Sequence, residues 1–90
     1  MELDKDALSD VVVRLRRVQG QLGGVVQMIE DGRACQDVVT QLAAASHALD
    51  RAGFRIVASG LRQCLLDENA GSPEAQADRA ELERLFLSLA

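Results

Sequence analysis

The sequence predicts an all-α fold of three helices, the second of them very long. Three observations carry that expectation. Apolar residues recur at steps of three and four along most of the chain, the signature of amphipathic helices. Only two stretches interrupt the pattern, Asp31-Gly32 and Asn69-Ala-Gly-Ser-Pro73. The composition favours strong helix formers, and tryptophan and tyrosine are absent.

The first helix is predicted over about residues 4–30. Leu8, Val11, Val12, Leu15, Val18, Leu22, Val25, Val26 and Ile29 form its apolar stripe. Asp31-Gly32 is its stop signal, because glycine tolerates the left-handed conformation that ends helices.

The second helix is predicted over about 33–69, a stretch without proline. Val38, Val39, Leu42, Leu49, Ile56, Val57, Leu61 and Leu65 mark one side. At ~1.5 Å per residue it is roughly 50 Å long. Gly53 and Gly60 each weaken it by about 1 kcal/mol relative to alanine. So long a helix in 90 residues cannot be covered by its own chain, and it calls for a partner. The third helix is predicted over 73–89, with Ser72 as N-cap, Pro73 at the first helical position and Glu74 in the first turn. Its stripe is Leu82, Leu85, Phe86 and Leu89. There is no internal repeat, so residues 1–90 read as a single domain. A domain this short gains stability from oligomerisation or very regular helix packing.

The net charge is −4, which taken alone argues against nucleic acid. DNA binding depends on local patches, however, and the basic residues are clustered. Arg14, Arg16 and Arg17 lie together, as do Arg51 and Arg55, whereas the acids gather towards the termini. Arg14 and Arg17 are spaced i, i+3, with Gln21 on the same stripe, and Arg51 and Arg55 are spaced i, i+4. Arg16 points about 100° away from Arg17. These residues alone fit a DNA-facing surface or a solvated face with arginines paired to Asp10 and Asp50. With Phe54 and Phe86 the only aromatics, no stacking platform for bases exists. The N-terminus lacks the features of a signal peptide, and no apolar run approaches the roughly 20 residues of a membrane span. The expected location is the cytoplasm, with no membrane partner. There, paired cysteines serve metal or redox chemistry more often than structural disulfides.

Cys35 and Cys64 are 29 residues apart. On one helix that is eight turns plus about 20°, so the thiols share a face but lie roughly 43 Å apart. A disulfide needs Cα atoms within ~7 Å, so a continuous helix excludes an intrachain bond. Antiparallel pairing of two such helices about an axis near Leu49 and Asp50 places Cys35 of one chain opposite Cys64 of the other. Symmetry then makes two equivalent sites. Both cysteines also fit as small buried apolar residues.

The stretch Arg14-Leu-Arg-Arg-Val-Gln-Gly-Gln-Leu-Gly-Gly-Val-Val-Gln-Met-Ile-Glu-Asp resembles the first helix of the CsoR/RcnR/FrmR family of metal- and thiol-sensing repressors. Cys35-Gln-Asp-Val-Val-Thr-Gln-Leu-Ala-Ala resembles the opening of the family's second helix, and Leu61-Arg-Gln-Cys64 its second cysteine motif. The resemblance covers nearly the whole chain. It implies an antiparallel dimer assembling into a disc-shaped tetramer, operator DNA as partner, and an effector site at the inter-subunit cysteines. It also implies DNA contact at Arg14 and Arg51, to which the clustering adds Arg17, Arg16 and Arg55.

The family's copper sensors add a histidine four residues before the second cysteine, completing a trigonal site for soft Cu(I). Here that position is Gly60. A tyrosine preceding the first cysteine in some copper sensors is Ala34. Glu81 falls where the copper network has an outer-shell glutamate. His47 lies about 120° from Cys35 and about 100° from Cys64 around the helix, on the solvent side or at a helix contact rather than in a ligand position. The nickel and cobalt branch needs histidines near the N-terminus, and the formaldehyde branch an N-terminal proline; neither is present.

Two cysteines without a third ligand resemble instead the CstR-like persulfide-sensing branch. That likeness implies low-molecular-weight persulfides or polysulfides as effectors and a di-, tri- or tetrasulfide bridge as product. Cys35 is the expected attacking thiol, because helix N-terminal N–H groups and Arg33 favour its thiolate; Cys64 is the resolving thiol. No cofactor and no metal are required. The alternatives are a Cu(I)-sensing repressor using the same cysteines, and a helical dimerisation module in which they are inert. No second titratable group is placed to act as a base for turnover, so the chain reads as a non-enzyme.

Overall fold

A computed structural model describes residues 2–89. The described residues form α1 (Ser9–Glu30), α2 (Cys35–Leu66) and α3 (Pro73–Leu89), with no strand among them. Residues 1 and 90, the ends of the expected domain, lie outside the described residues.

Regular helix begins at Ser9, five residues later than the apolar periodicity suggests. The reason is local. Asp4 Oδ1 accepts hydrogen bonds from the Asp6 and Ala7 N–H groups, at 3.0 and 3.4 Å. The Leu8 and Ser9 N–H groups reach the Lys5 and Asp6 carbonyls, so residues 5–8 form turns ahead of the helix. The aspartate satisfies donors that a helix start leaves open.

At the other end of α1, Gly32 has φ +71°. Its N–H bonds the Ile29 carbonyl at 3.1 Å, and the Arg33 N–H bonds the Met28 carbonyl at 2.9 Å. This pair of bonds is the Schellman closure that a left-handed glycine permits. The chain reverses within four residues, and α2 starts with Cys35 at its first position. The Ala34 carbonyl accepts from Asp37 and Val38.

α2 is unbroken for 32 residues. It ends at Leu66, three residues short of the expected boundary, where Asp67 takes the Asn69 N–H on its side chain and the Ala70 N–H on its carbonyl. Ser72 then caps α3, its Oγ accepting from the Ala75 N–H at 3.1 Å, with Pro73 as the first helical residue.

The chain forms two compact units. One comprises Asp10–Ala52, that is, α1 and the first part of α2. Its buried residues are Val11, Val18 and Val25, spaced seven apart on α1, and Ala45 and Ala52, spaced seven apart on α2. The alanines carry little bulk, which lets helix backbones approach closely. The other unit comprises the residues up to Ser9 and those from Gly53 onward. Leu8, Val57 and Cys64 are buried there. Phe54 and Phe86 meet edge to face at 5.2 Å, and Gln63 donates to the Glu2 carbonyl at 2.7 Å.

The burial list is short, and large apolar side chains remain uncovered. Val39, Leu42 and Leu49 of α2 are 56%, 47% and 50% exposed; Leu22, Val26 and Ile29 of α1 are also exposed. A soluble monomer seldom leaves so much apolar surface open. No helix among the described residues is long and apolar enough to cross a membrane.

Candidate functional site

Two groups of residues stand out. The first is a cavity of about 470 Å³ within the Asp10–Ala52 unit. α1 contributes Arg14, Arg17 and Gln21; α2 contributes Ala44, His47, Ala48 and Arg51. Both sets follow helical steps of three and four, so each presents one face to the same space. The helices run antiparallel here, since a short turn joins them, and Arg14 comes level with Arg51 while Gln21 comes level with Ala44. Three guanidinium groups and an imidazole thus converge, and no acid lines the cavity.

Among the described residues, no ion pair or side-chain hydrogen bond holds Arg14, Arg17 or Arg51. Of the five arginines expected to act together, the cavity gathers three. Arg16 is exposed and does not line it, and Arg55 belongs to the other unit and has interactions of its own. Sequence reasoning missed His47 as a member. The signal was present: His47 precedes Arg51 by four residues and therefore shares its face.

The second group is the cysteine pair. α2 carries both: Cys35 opens the helix and is exposed, and Cys64 is 4% exposed near its far end. Both cysteines are free, so neither forms a disulfide within the chain. Arg33, expected to add positive charge beside Cys35, is instead drawn to Asp37 at 3.3 Å.

No group of three His, Cys, Asp or Glu side chains among the described residues is arranged to hold a metal ion. Gly60 is buried and brings no ligand atom. His47 lines the arginine cavity. Glu81 is committed elsewhere: Arg84 engages both of its carboxylate oxygens, with Nε to Oε2 at 3.1 Å and Nη2 to Oε1 as the second bond. That hydrogen bonding, with the guanidinium charge, holds the Glu81 carboxyl below its ordinary range and raises Arg84. The donor set of a single chain therefore does not make a metal site.

The described residues thus combine three helices, a basic cavity, an apolar face left open and a cysteine at each end of one long helix. A family model described as metal-sensitive transcriptional repressor matches residues 7–88. The chain belongs to this CsoR/RcnR family, whose members are transcriptional repressors and not enzymes. The copper-sensing transcriptional repressor RicR of Mycobacterium tuberculosis is 39% identical over 69 residues, 76% of this chain and 72% of that protein. The copper-sensing transcriptional repressor CsoR of Bacillus subtilis is 28% identical over 64 residues, 71% of this chain and 60% of that protein. Among solved structures, the nickel-responsive transcriptional regulator InrS superposes with a TM-score of 0.73 at 28% identity, covering 100% of both chains. The fold expected from the sequence is thus shared with a transcriptional regulator of known structure.

Proposed function

We propose that this chain is a cytoplasmic, operator-binding repressor that leaves DNA when reactive sulfur species bridge Cys35 to Cys64 of the partner subunit. The observation that carries the choice of signal is the donor set. Gly60 stands where the resemblance puts the copper sensors' histidine, and two thiolates remain.

Pairing is supported by helix arithmetic. Relative to Cys35, residues Val39, Leu42, Leu49 and Cys64 lie at about +40°, −20°, −40° and +20° around α2. The exposed apolar residues therefore share the cysteine face. Antiparallel pairing of two chains over that face covers them and brings each Cys35 to Cys64 of the partner subunit. The exposed apolar residues of α1 are the surface through which two such dimers join into a tetramer.

Cys35 is the accessible thiol and reacts first. Its thiolate attacks the outer sulfur of a low-molecular-weight persulfide, RSSH. The S–S bond of the persulfide breaks, a Cys35 persulfide forms, and the thiol RSH departs. The partner subunit's Cys64 thiolate then attacks the Cys35 sulfur, giving an inter-subunit disulfide and releasing hydrosulfide. If both thiols are persulfidated first, one persulfide attacks the other, yielding a trisulfide and one hydrosulfide. Each two-electron oxidation of the thiols is matched by reduction of a sulfane sulfur. Arg14, Arg17 and Arg51, together with Arg16 of α1 and Arg55 of α2, supply the positive charge for the operator; repetition across subunits lets these residues outweigh the net charge of −4.

The names of the relatives favour a second reading. RicR and CsoR sense copper, and here the same cysteines would hold Cu(I) with a recruited third ligand. DNA-release titrations separate the two. Under the sulfur reading, sodium tetrasulfide releases the assembled protein from DNA of its own upstream region, Cys35→Ala abolishes release, and stoichiometric Cu(I) has no effect. Release by Cu(I) and none by tetrasulfide would establish the copper reading instead.

A further inference from the structure

The chain carries 14 acids against 10 bases, yet its arginine-lined cavity has no acid in its wall. Three like charges facing one space repel each other, and an anion relieves that repulsion. The floor between the charges is Ala44 and Ala48, whose methyl groups leave it open. Gln21 adds an adaptable amide: its Oε1 is buried without a hydrogen-bond partner, and rotation of the amide exchanges acceptor for donor. The volume, about 470 Å³, is many times the roughly 30 Å³ of one water molecule. A tetrahedral oxyanion enters with part of its hydration.

We propose that this cavity seats a single backbone phosphate of the operator, and that His47 is a further donor to it whose protonation is coupled to DNA binding. The proposal rests on the reading that these arginines face DNA, and it extends that reading to a residue no arginine argument requires. Arg14 and Arg17 on α1 and Arg51 on α2 hold the phosphate by charge-assisted hydrogen bonds. His47, one turn before Arg51, donates one N–H when neutral and two when protonated.

The charged groups around the imidazole set the sign of the coupling. Arg14 and Arg17 face it from α1, and Arg51 from its own helix; Asp50, three residues on, is the nearest acid in sequence. A seated phosphate adds negative charge beside the imidazole and favours its protonated form, so the DNA-bound state takes up protons and affinity rises as pH falls. Imidazole is the side chain that changes charge across neutral pH.

The test is fluorescence anisotropy with the assembled protein and duplex DNA from its own upstream region, at about pH 6 and about pH 8. Wild type should bind tighter at the lower pH by up to about fivefold for each His47 engaged, with a salt slope steeper by up to about 0.9 for each. His47→Gln should lose both effects, its affinity and salt slope being the same at the two pH values. Identical pH profiles for wild type and His47→Gln, while Arg14→Ala still weakens binding, overturn the role of His47 and leave the DNA reading intact. If neither Arg14→Ala nor Arg51→Ala weakens binding, the DNA reading itself fails. A second measurement needs no DNA. Inorganic pyrophosphate should shift the His47 side-chain NMR resonances, and absence of a shift at concentrations that displace DNA overturns the cavity as a phosphate seat.

Discussion

Replacing Arg51 by alanine removes one cation from the cavity without breaking an ion pair within the chain. Neither Arg51 nor Arg14 is held by an acid among the described residues, so stability and helix content should be unchanged. The effect on DNA can be worked from counterion release. At about 0.15 M salt, one phosphate contact contributes about 0.9 × log(1/0.15), or roughly 0.7 in log K, about fivefold in affinity. If two subunits of the assembly engage the operator and each loses its phosphate contact with Arg51, Arg51→Ala lowers affinity by up to about 25-fold and the salt slope by up to about 1.8. Engagement by all four raises these to about 600-fold and about 3.6. Anisotropy titrations over a salt series give both numbers, and the slope counts the subunits independently of the affinity. Circular dichroism of the variant controls for folding. An unchanged affinity and slope refute the reasoning. An affinity loss with an unchanged slope refutes the phosphate contact specifically.

Further outcomes follow from other parts of the chain. Leu42→Asp places a charge in the open apolar face of α2, and sedimentation velocity should show smaller species than wild type; an unchanged assembly would mean this face is not the seam. Gly32→Ala forces a side chain into φ +71° at a cost of about 1 kcal/mol, read as a lower melting temperature at fixed protein concentration. Glu81 is held below its ordinary value of 4.5 by the hydrogen bond from Arg84 and then by its charge. Its contribution is therefore present above that pH and lost as pH falls through the lower, folded-state value. Acidification should cost wild type more helix signal than Glu81→Gln, by a small amount because the pair is exposed.

Much of the fold was legible because punctuation in the sequence coincides with chemistry. Gly32 ends α1 through its left-handed φ, and Ser72-Pro73 opens α3 with the cap and ring that such positions favour. The boundaries that shifted did so where an aspartate competes with helix for backbone donors, Asp4 before α1 and Asp67 after α2. Periodicity reports the apolar side of a segment and says nothing about such local hydrogen bonds. The arginine cluster was half legible. Spacing places Arg14, Arg17 and Gln21 on one face, but which face of α2 meets it depends on helix pairing. Spacing alone therefore does not place His47 with the arginines or set Arg55 apart from them. At the cysteines, spacing establishes a shared face and forbids an intrachain bond. The difference between an exposed Cys35 and a buried Cys64 comes from packing around the second half of α2, and the Arg33–Asp37 pair depends on rotamers; neither is written in the spacing.

The central claim is that one chain's Cys35 answers to the partner subunit's Cys64. Peptide mapping by mass spectrometry after sodium tetrasulfide treatment, without reductant, tests it most directly. The account predicts a covalent dimer whose peptides join Cys35 to Cys64, with masses of a disulfide and its higher sulfur homologues, and no dimer from Cys35→Ala. A protein that remains monomeric on denaturing gels, or whose bridges join Cys35 to Cys35, contradicts it.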